Sequence, residues 1–289
     1  MCRMLAGAAW SRDGAWLLAR LLRLLARAAS GDPYLAEVTG GEARHCHGYG
    51  FLIAARLAGS WRLLYERFDA KTPAAGEEEA CKANLEALSG AAERAAGLIA
   101  AAEEAYVVAH ARRAGRREPR GTLNAHPYPV TLETPGGSLE LYLAHNGGLD
   151  KEKLAGALGL EADMYTDSHM LAVLLARRIR MGVGLAEALA EATAFTRNAL
   201  DLAVVVLERR RDGIEPSLYV TGYLRPGLDE ARKRYYQPIG FQAEGAAGYI
   251  SSTLRDLALE EGLALETVEL EGVYRVEPGK GLEKLRSLP

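Results

Sequence analysis

The chain has 289 residues, a formal net charge of −3 and 49% apolar residues, the make-up of an ordinary water-soluble protein. That balance excludes a broad electrostatic attraction to nucleic acid or to an anionic membrane. Arginines interrupt every leucine-rich run, Arg20, Arg23 and Arg27 among them, which excludes both a transmembrane span and a signal peptide. Three cysteines do not make a disulfide framework, so the reading is of a cytoplasmic protein.

In chain order, RMLAGAA after Cys2 reads as a short buried strand. Ser11 and Asp13 can cap a helix that runs to about residue 29, with leucines 17, 21, 24 and 25 and Ala28 on one face, and GDP at 31–33 ends it. Residues 48–57 and 61–68 read as two strands of a hairpin turning at Gly59-Ser60. The alanine-rich stretch 77–105 is helical, with a break expected near Ser89-Gly90. Strands are expected at 106–112 and 139–148, separated by a basic loop, RRAGRREPRG, at 112–121. Helices at 168–181 and 185–198 follow, then strands at 202–210 and 217–224. A helix near 252–262 and strands near 264–270 and 272–277 close the chain. Strands in hairpins with helices in blocks imply antiparallel sheets covered by helices, and no repeat or linker divides the chain.

Five short stretches carry residues suited to chemistry. Cys2 becomes the first residue if Met1 is removed, and a thiol beside its own α-amine has a matched base for nucleophilic attack; a small residue in a core strand is the other reading. In HAR (110–112), Arg112 ends a strand, where a guanidinium can grip a carboxylate through two parallel hydrogen bonds or simply keep a loop soluble. In NAHPYP (124–129), Pro127 keeps His126 out of helical geometry. In AHNGG (144–148), the Asn146 amide and the Gly147 N–H can pair as donors to a developing oxyanion, while Asn-Gly is equally a preferred hairpin turn. Asp167 in TDSHML (166–171) can cap a helix, accept from a substrate ammonium, or do both. RHCHGYG (44–50) suggests a metal, yet no second cluster of ligands follows, so no metal site is assigned.

Cys2, HAR, NAHPY, LAHNG and TDS occur in the order seen in class II glutamine amidotransferases, and the chain resembles that family of N-terminal-nucleophile (Ntn) hydrolases, in particular its small standalone members beginning Met-Cys-Arg. GYGF (48–51) and the closing region 247–279 add to the likeness, which covers nearly the whole chain and is tightest before about residue 200. The resemblance implies one domain over 1–289 of α+β class, a four-layer α-β-β-α sandwich of two antiparallel sheets. It implies Cys2 as nucleophile, Asn146 and Gly147 as oxyanion hole, Arg112 and Asp167 as holders of the glutamine α-carboxylate and α-ammonium, and His126 as a shaper of the pocket. No cofactor or metal is implied. The substrate would be glutamine or another γ-glutamyl small molecule, with ammonia passed to a partner synthetase or simply released; a homo-oligomer stays open. Gly115, His47 and His169 depart from the family pattern, which leaves room for a different γ-glutamyl amide as substrate or for a binding or regulatory protein that has lost catalysis.

Overall fold

In the computed structural model, which describes residues 2–115, 118–134 and 136–289, the chain begins in the middle of a sheet. The first strand, β1 (Cys2–Ala9), is buried along its whole length. Ser11 then caps helix α1 (Arg12–Ser30), its hydroxyl accepting from the Gly14 N–H at 3.1 Å. Asp32 caps a further short helix, α2 (Pro33–Thr39), started by Pro33 at its first position. The hairpin strands are β2 (Tyr49–Leu57) and β3 (Ser60–Phe68). Helix α3 (Glu77–Ala100) runs unbroken through Ser89-Gly90, and β4 (Glu104–Arg112) follows. The long hairpin β5 (Tyr128–Thr134) and β6 (Gly137–Leu149) leads to α4 (Lys151–Leu158), α5 (Asp167–Arg180) and α6 (Leu185–Glu191). Strands β7 (Thr196–Arg210) and β8 (Gly213–Gly222) form another hairpin. The remainder is α7 (Glu230–Tyr236), β9 (Ile239–Ala243), β10 (Ala246–Ile250), α8 (Ser252–Glu260), β11 (Glu266–Glu269), β12 (Gly272–Glu277) and β13 (Gly281–Arg286).

Among the described residues these strands form two antiparallel sheets, a seven-stranded one ordered β11-β9-β10-β1-β4-β2-β3 and a six-stranded one ordered β13-β12-β8-β7-β6-β5. The period-two alternation of the strands sets what each face touches. Met4, Ala6 and Ala8 of β1 and Val108 of β4 meet Ala203, Val205 and Val220 of the second sheet, making an apolar core between the sheets. The alternate residues, Leu5 and Val107, turn outward onto Leu18, Leu21 and Leu25 of α1 and Ala95 and Ile99 of α3. On the second sheet, Leu143, Leu202 and Val204 face Leu154, Leu171 and Leu189 of α4, α5 and α6. The class is therefore α+β, with antiparallel sheets and helices outside them.

Behind β1, on the helix side, lies a buried charge network. Arg3, Asp32 and His45 are all fully enclosed. The Arg3 guanidinium meets Asp32 through Nε at 2.6 Å and Nη2 at 3.0 Å, donates from Nη1 to the Tyr235 carbonyl at 3.0 Å, and lies over the Tyr235 ring. His45 Nε2 and the Thr253 hydroxyl complete the shell around Asp32, at 2.6 and 2.7 Å. Despite its burial, Asp32 is held well below the usual carboxylate range by His45 and Arg3. Breaking such a buried pair typically costs about 3–5 kcal/mol, which anchors the first strand to α2 and to the α7 segment.

Several sequence expectations need correction. The helix expected over 185–198 ends at Glu191, and by Thr196 the chain is already a strand, with Thr196 paired to Leu149 and Leu200 to Gly147. The elements α2, α4, α7, β5, β9, β10 and β13 were not expected, being short and weakly patterned. The basic loop is irregular where described, while Arg116 and Arg117 within it lie outside the described residues, as does Met1. Two of the three cysteines do pair: Cys46 and Cys81 form a disulfide across 35 residues, tying the RHCHGYG segment to α3. Denatured chain without reductant should therefore titrate one thiol, that of Cys2, against three after reduction. Reduction should lower stability by about 3–4 kcal/mol on the chain-entropy account, read as the shift in urea midpoint; three thiols without reductant would contradict the pairing.

Candidate functional site

The strand register assembles the site. Cys2 pairs directly with Arg112 across β1 and β4, and Met4 with His110. Even-numbered residues of both strands face the gap between the sheets, so Cys2, His110 and Arg112 share that face. Across the gap, the β6 strand supplies Asn146, whose Oδ1 accepts from the Cys2 nitrogen at 3.0 Å. These side chains end in a cleft of about 320 Å³ lined by Cys2, Arg112, His126, Gly147 and Asp167, five of the six residues expected from the sequence. The sixth, Asn146, lies just behind the cleft wall, buried against Cys2.

Each residue is placed by a local cause. Arg112 is fixed through its backbone, its N–H donating to the Gly48 carbonyl and its own carbonyl accepting from the His47 N–H, both at 2.8 Å. Its Nη1 donates to the Pro119 carbonyl at 2.9 Å, which leaves the other edge of the guanidinium available. Ala114, next along the cleft rim, donates its N–H to His47 Nδ1 at 3.1 Å, so His47 braces the loop. His126 sits at a turn held by β3, with Tyr65 donating to the Pro127 carbonyl and Arg67 to the Ala125 carbonyl. Gly50 of GYGF permits this approach, since a Cβ there would fall 2.3 Å from the His126 carbonyl oxygen. The His126 ring packs on His110 with centroids 4.0 Å apart, and its two nitrogens have no partner among the described residues. Gly147 has φ of +140°, and a Cβ would meet the Ala199 carbonyl oxygen at 2.0 Å, so the position requires glycine and brings bare backbone to the cleft.

The helix cap is Thr166, not Asp167: the Thr166 hydroxyl accepts from the His169 N–H at 3.0 Å. Asp167 sits in the first turn of α5, with Oδ2 accepting from the Leu149 N–H and Oδ1 from Ser168. Oδ1 also accepts from the Ser168 hydroxyl at 3.1 Å, and Oδ2 keeps a lone pair for a cation in the cleft. His169, one of the departures from the family pattern, packs on Tyr128 and Tyr165 and is not among the residues lining the cleft.

The electrostatics favour a reactive thiol. Burial alone would raise the Cys2 thiol, but the positive chain terminus and His110, together with a backbone N–H at Arg113, bring it down to about 6. Sequence reasoning missed Glu118, which lines the cleft and pairs with Lys151 at 3.3 Å. Burial and the neighbouring Asp167 charge push Glu118 up from its ordinary value. It also missed Arg197, Asn198 and Tyr236 on the cleft wall and Asp201 behind Asn146. A lone Glu in a basic loop carries no spacing signal, and β7 reads as plain core from its valines. A guanidinium and a carboxylate on one cleft can hold a zwitterionic amino-acid head group, leaving an extended side chain to reach the thiol. No group of three or more His, Cys, Asp or Glu among the described residues is arranged to hold a metal ion. No protein-family model matches the chain, and no curated protein matches it.

Burial holds His45, His47 and His145 down to about 4 and His126 further below its ordinary value. The unfolded chain takes up those protons first, near pH 6.5, so the contribution of these imidazoles to stability is complete above that pH and falls as pH drops from about 6.5 toward 4. The urea midpoint should decline steadily over that window. A flat profile between pH 7 and pH 4.5 would contradict the burial of neutral imidazoles.

Proposed function

We propose that the chain is a glutamine amidotransferase of the class II, N-terminal-nucleophile type, hydrolysing the γ-amide of glutamine. The observation that carries this reading is the convergence of Cys2, Arg112, His126, Gly147 and Asp167, drawn from five separate stretches of sequence, on one cleft with Asn146 bonded to the Cys2 nitrogen. The pairing of two antiparallel sheets with helices outside each supports the four-layer Ntn sandwich.

On this reading Met1 is removed and the Cys2 nitrogen becomes a free α-amine. Arg112 takes the glutamine α-carboxylate and Asp167 its α-ammonium, and the γ-carbonyl then lies toward Cys2. The thiol proton passes to the α-amine as sulfur bonds to the γ-carbon. The tetrahedral oxyanion is met by the Gly147 N–H and by the Asn146 Nδ2 hydrogen not engaged elsewhere, each such donor being worth about 3 kcal/mol. The C–N bond then breaks, the amine returns its proton to the departing ammonia, and a γ-glutamyl thioester remains. Water adds to the thioester, its proton goes to the amine, and the C–S bond breaks to give glutamate and the starting thiol. His110 assists by favouring the thiolate.

A second reading keeps the chemistry and changes the leaving group: a γ-glutamyl hydrolase acting on a small γ-glutamyl amide. It is favoured by Glu118 and Gly115, an acid and a residue without a side chain that share the cleft with Arg112 and Asp167. In either case glutamate release should vanish in Cys2→Ala while its circular dichroism stays that of the parent. Arg112→Lys and Asp167→Asn should each raise KM about tenfold or more, the loss of about 1.4 kcal/mol of head-group binding. Turnover in Cys2→Ala would sink both readings; release from γ-glutamyl amides faster than from glutamine would select the second.

A further inference from the structure

Asp201 stands in the middle of the core between the sheets, with no exposed surface. It belongs to β7, directly across from Asn146 of β6 in the antiparallel register. Oδ2 accepts from Asn146 Nδ2 at 3.4 Å and from the Tyr249 hydroxyl at 3.3 Å, while Oδ1 has no partner among the described residues. Enclosing an acid with one oxygen unmatched is unfavourable. An apolar residue would suit the core better, and β7 carries Ala203, Val205 and Leu207 at its other inward positions. The exception falls at the one point where the strand touches Asn146.

Asn146 has a side-chain amide that can sit in two orientations of nearly equal shape. One puts Oδ1 on the Cys2 nitrogen, the other puts Nδ2 there, setting donor against donor. A carboxyl group placed behind the amide settles the choice, because it offers an oxygen to Nδ2. We infer that Asp201 is a positioning residue, which locks the Asn146 amide so that Oδ1 holds the Cys2 amine and one Nδ2 hydrogen stays free for the cleft. This inference rests on the amide-hydrolase reading above. The role requires an accepting oxygen and no charge. Burial drives the carboxyl well above its ordinary range, and the accepting oxygen that faces Asn146 is Oδ2. Tyr249 on β10, Arg3 on β1 and Tyr236 on α7 are the other polar or charged groups that interact with Asp201, and none of them replaces the acceptor.

The test compares Asp201→Ala with Asp201→Asn in steady-state glutamine hydrolysis. Asp201→Ala should lower kcat on the order of 10²-fold, the scale of a misplaced reacting group, with KM within about twofold because Arg112 and Asp167 are untouched. Asp201→Asn, which keeps a neutral oxygen facing Asn146, should return kcat to within about threefold of the parent. If Asp201→Ala fails to fold, Asp201→Ser removes the reach to Asn146 with a smaller cavity and takes its place. A parent-like kcat in the Ala or Ser variant, an Asn variant as slow as the Ala variant, or a change confined to KM would each overturn the inference. A parent protein that hydrolyses neither glutamine nor a γ-glutamyl amide would instead overturn the reading on which it rests.

Discussion

The structure depends on how firmly the first residues are held. A chain terminus is ordinarily the most frayed part of a protein. Here β1 lies between β10 and β4, hydrogen-bonded to both, with the Met4 N–H and carbonyl also bonded to Ser251. The alternation of a strand then divides the labour between neighbours. Cys2 turns toward the second sheet and the cleft, while Arg3 turns to the helix side and locks on Asp32. On the proposed reading the attacking sulfur sits at the start of β1 and has to be immobile, and the buried Arg3–Asp32–His45 network supplies that immobility.

The same placement controls the electrostatics. Histidines 45, 126 and 145 are enclosed and neutral, so they add bulk and hydrogen-bonding capacity without charge. The charge that matters at the thiol then comes from the positive chain terminus and His110, with a backbone N–H at Arg113 beside them. A low-dielectric interior strengthens interactions among them, which is how a buried thiol comes to ionise near pH 6 rather than less readily than in water. The Cys46–Cys81 disulfide contributes at one remove, since the segment it ties down carries His45 into the charge network and His47 against the loop after Arg112.

Much of the architecture was legible because long strands and long amphipathic helices repeat their pattern. α1, α3, β4, β6 and β7 are of this kind, and the alternation in β4 already put His110 and Arg112 on one face. The end of the chain was harder. AAGYI in β10 has too little apolar alternation to declare a strand, yet it pairs with β1 at the far end of the chain, Leu5 with Ile250 and Ala9 with Ala246. The exposed β13 edge carries mixed charge and little burial. At the site, the residues with distinctive local chemistry were visible: a terminal cysteine, a strand-end arginine, an Asn-Gly pair. Those whose importance comes only from contact were not. Asp201 falls just before the strand expected at 202–210, Glu118 is one more residue in a basic loop, and nothing in the spacing of Cys46 and Cys81 pairs them. No spacing rule joins them, because the fold alone brings their partners near.

The most direct measurement is to expose the protein to the glutamine-analogue electrophile diazo-oxo-norleucine, digest it and map the adduct by mass spectrometry. A single adduct on the sulfur of Cys2, in a peptide that begins at that residue, is the expected result, with protection by excess glutamine. An adduct elsewhere, or none on a folded chain that has lost Met1, would contradict the account.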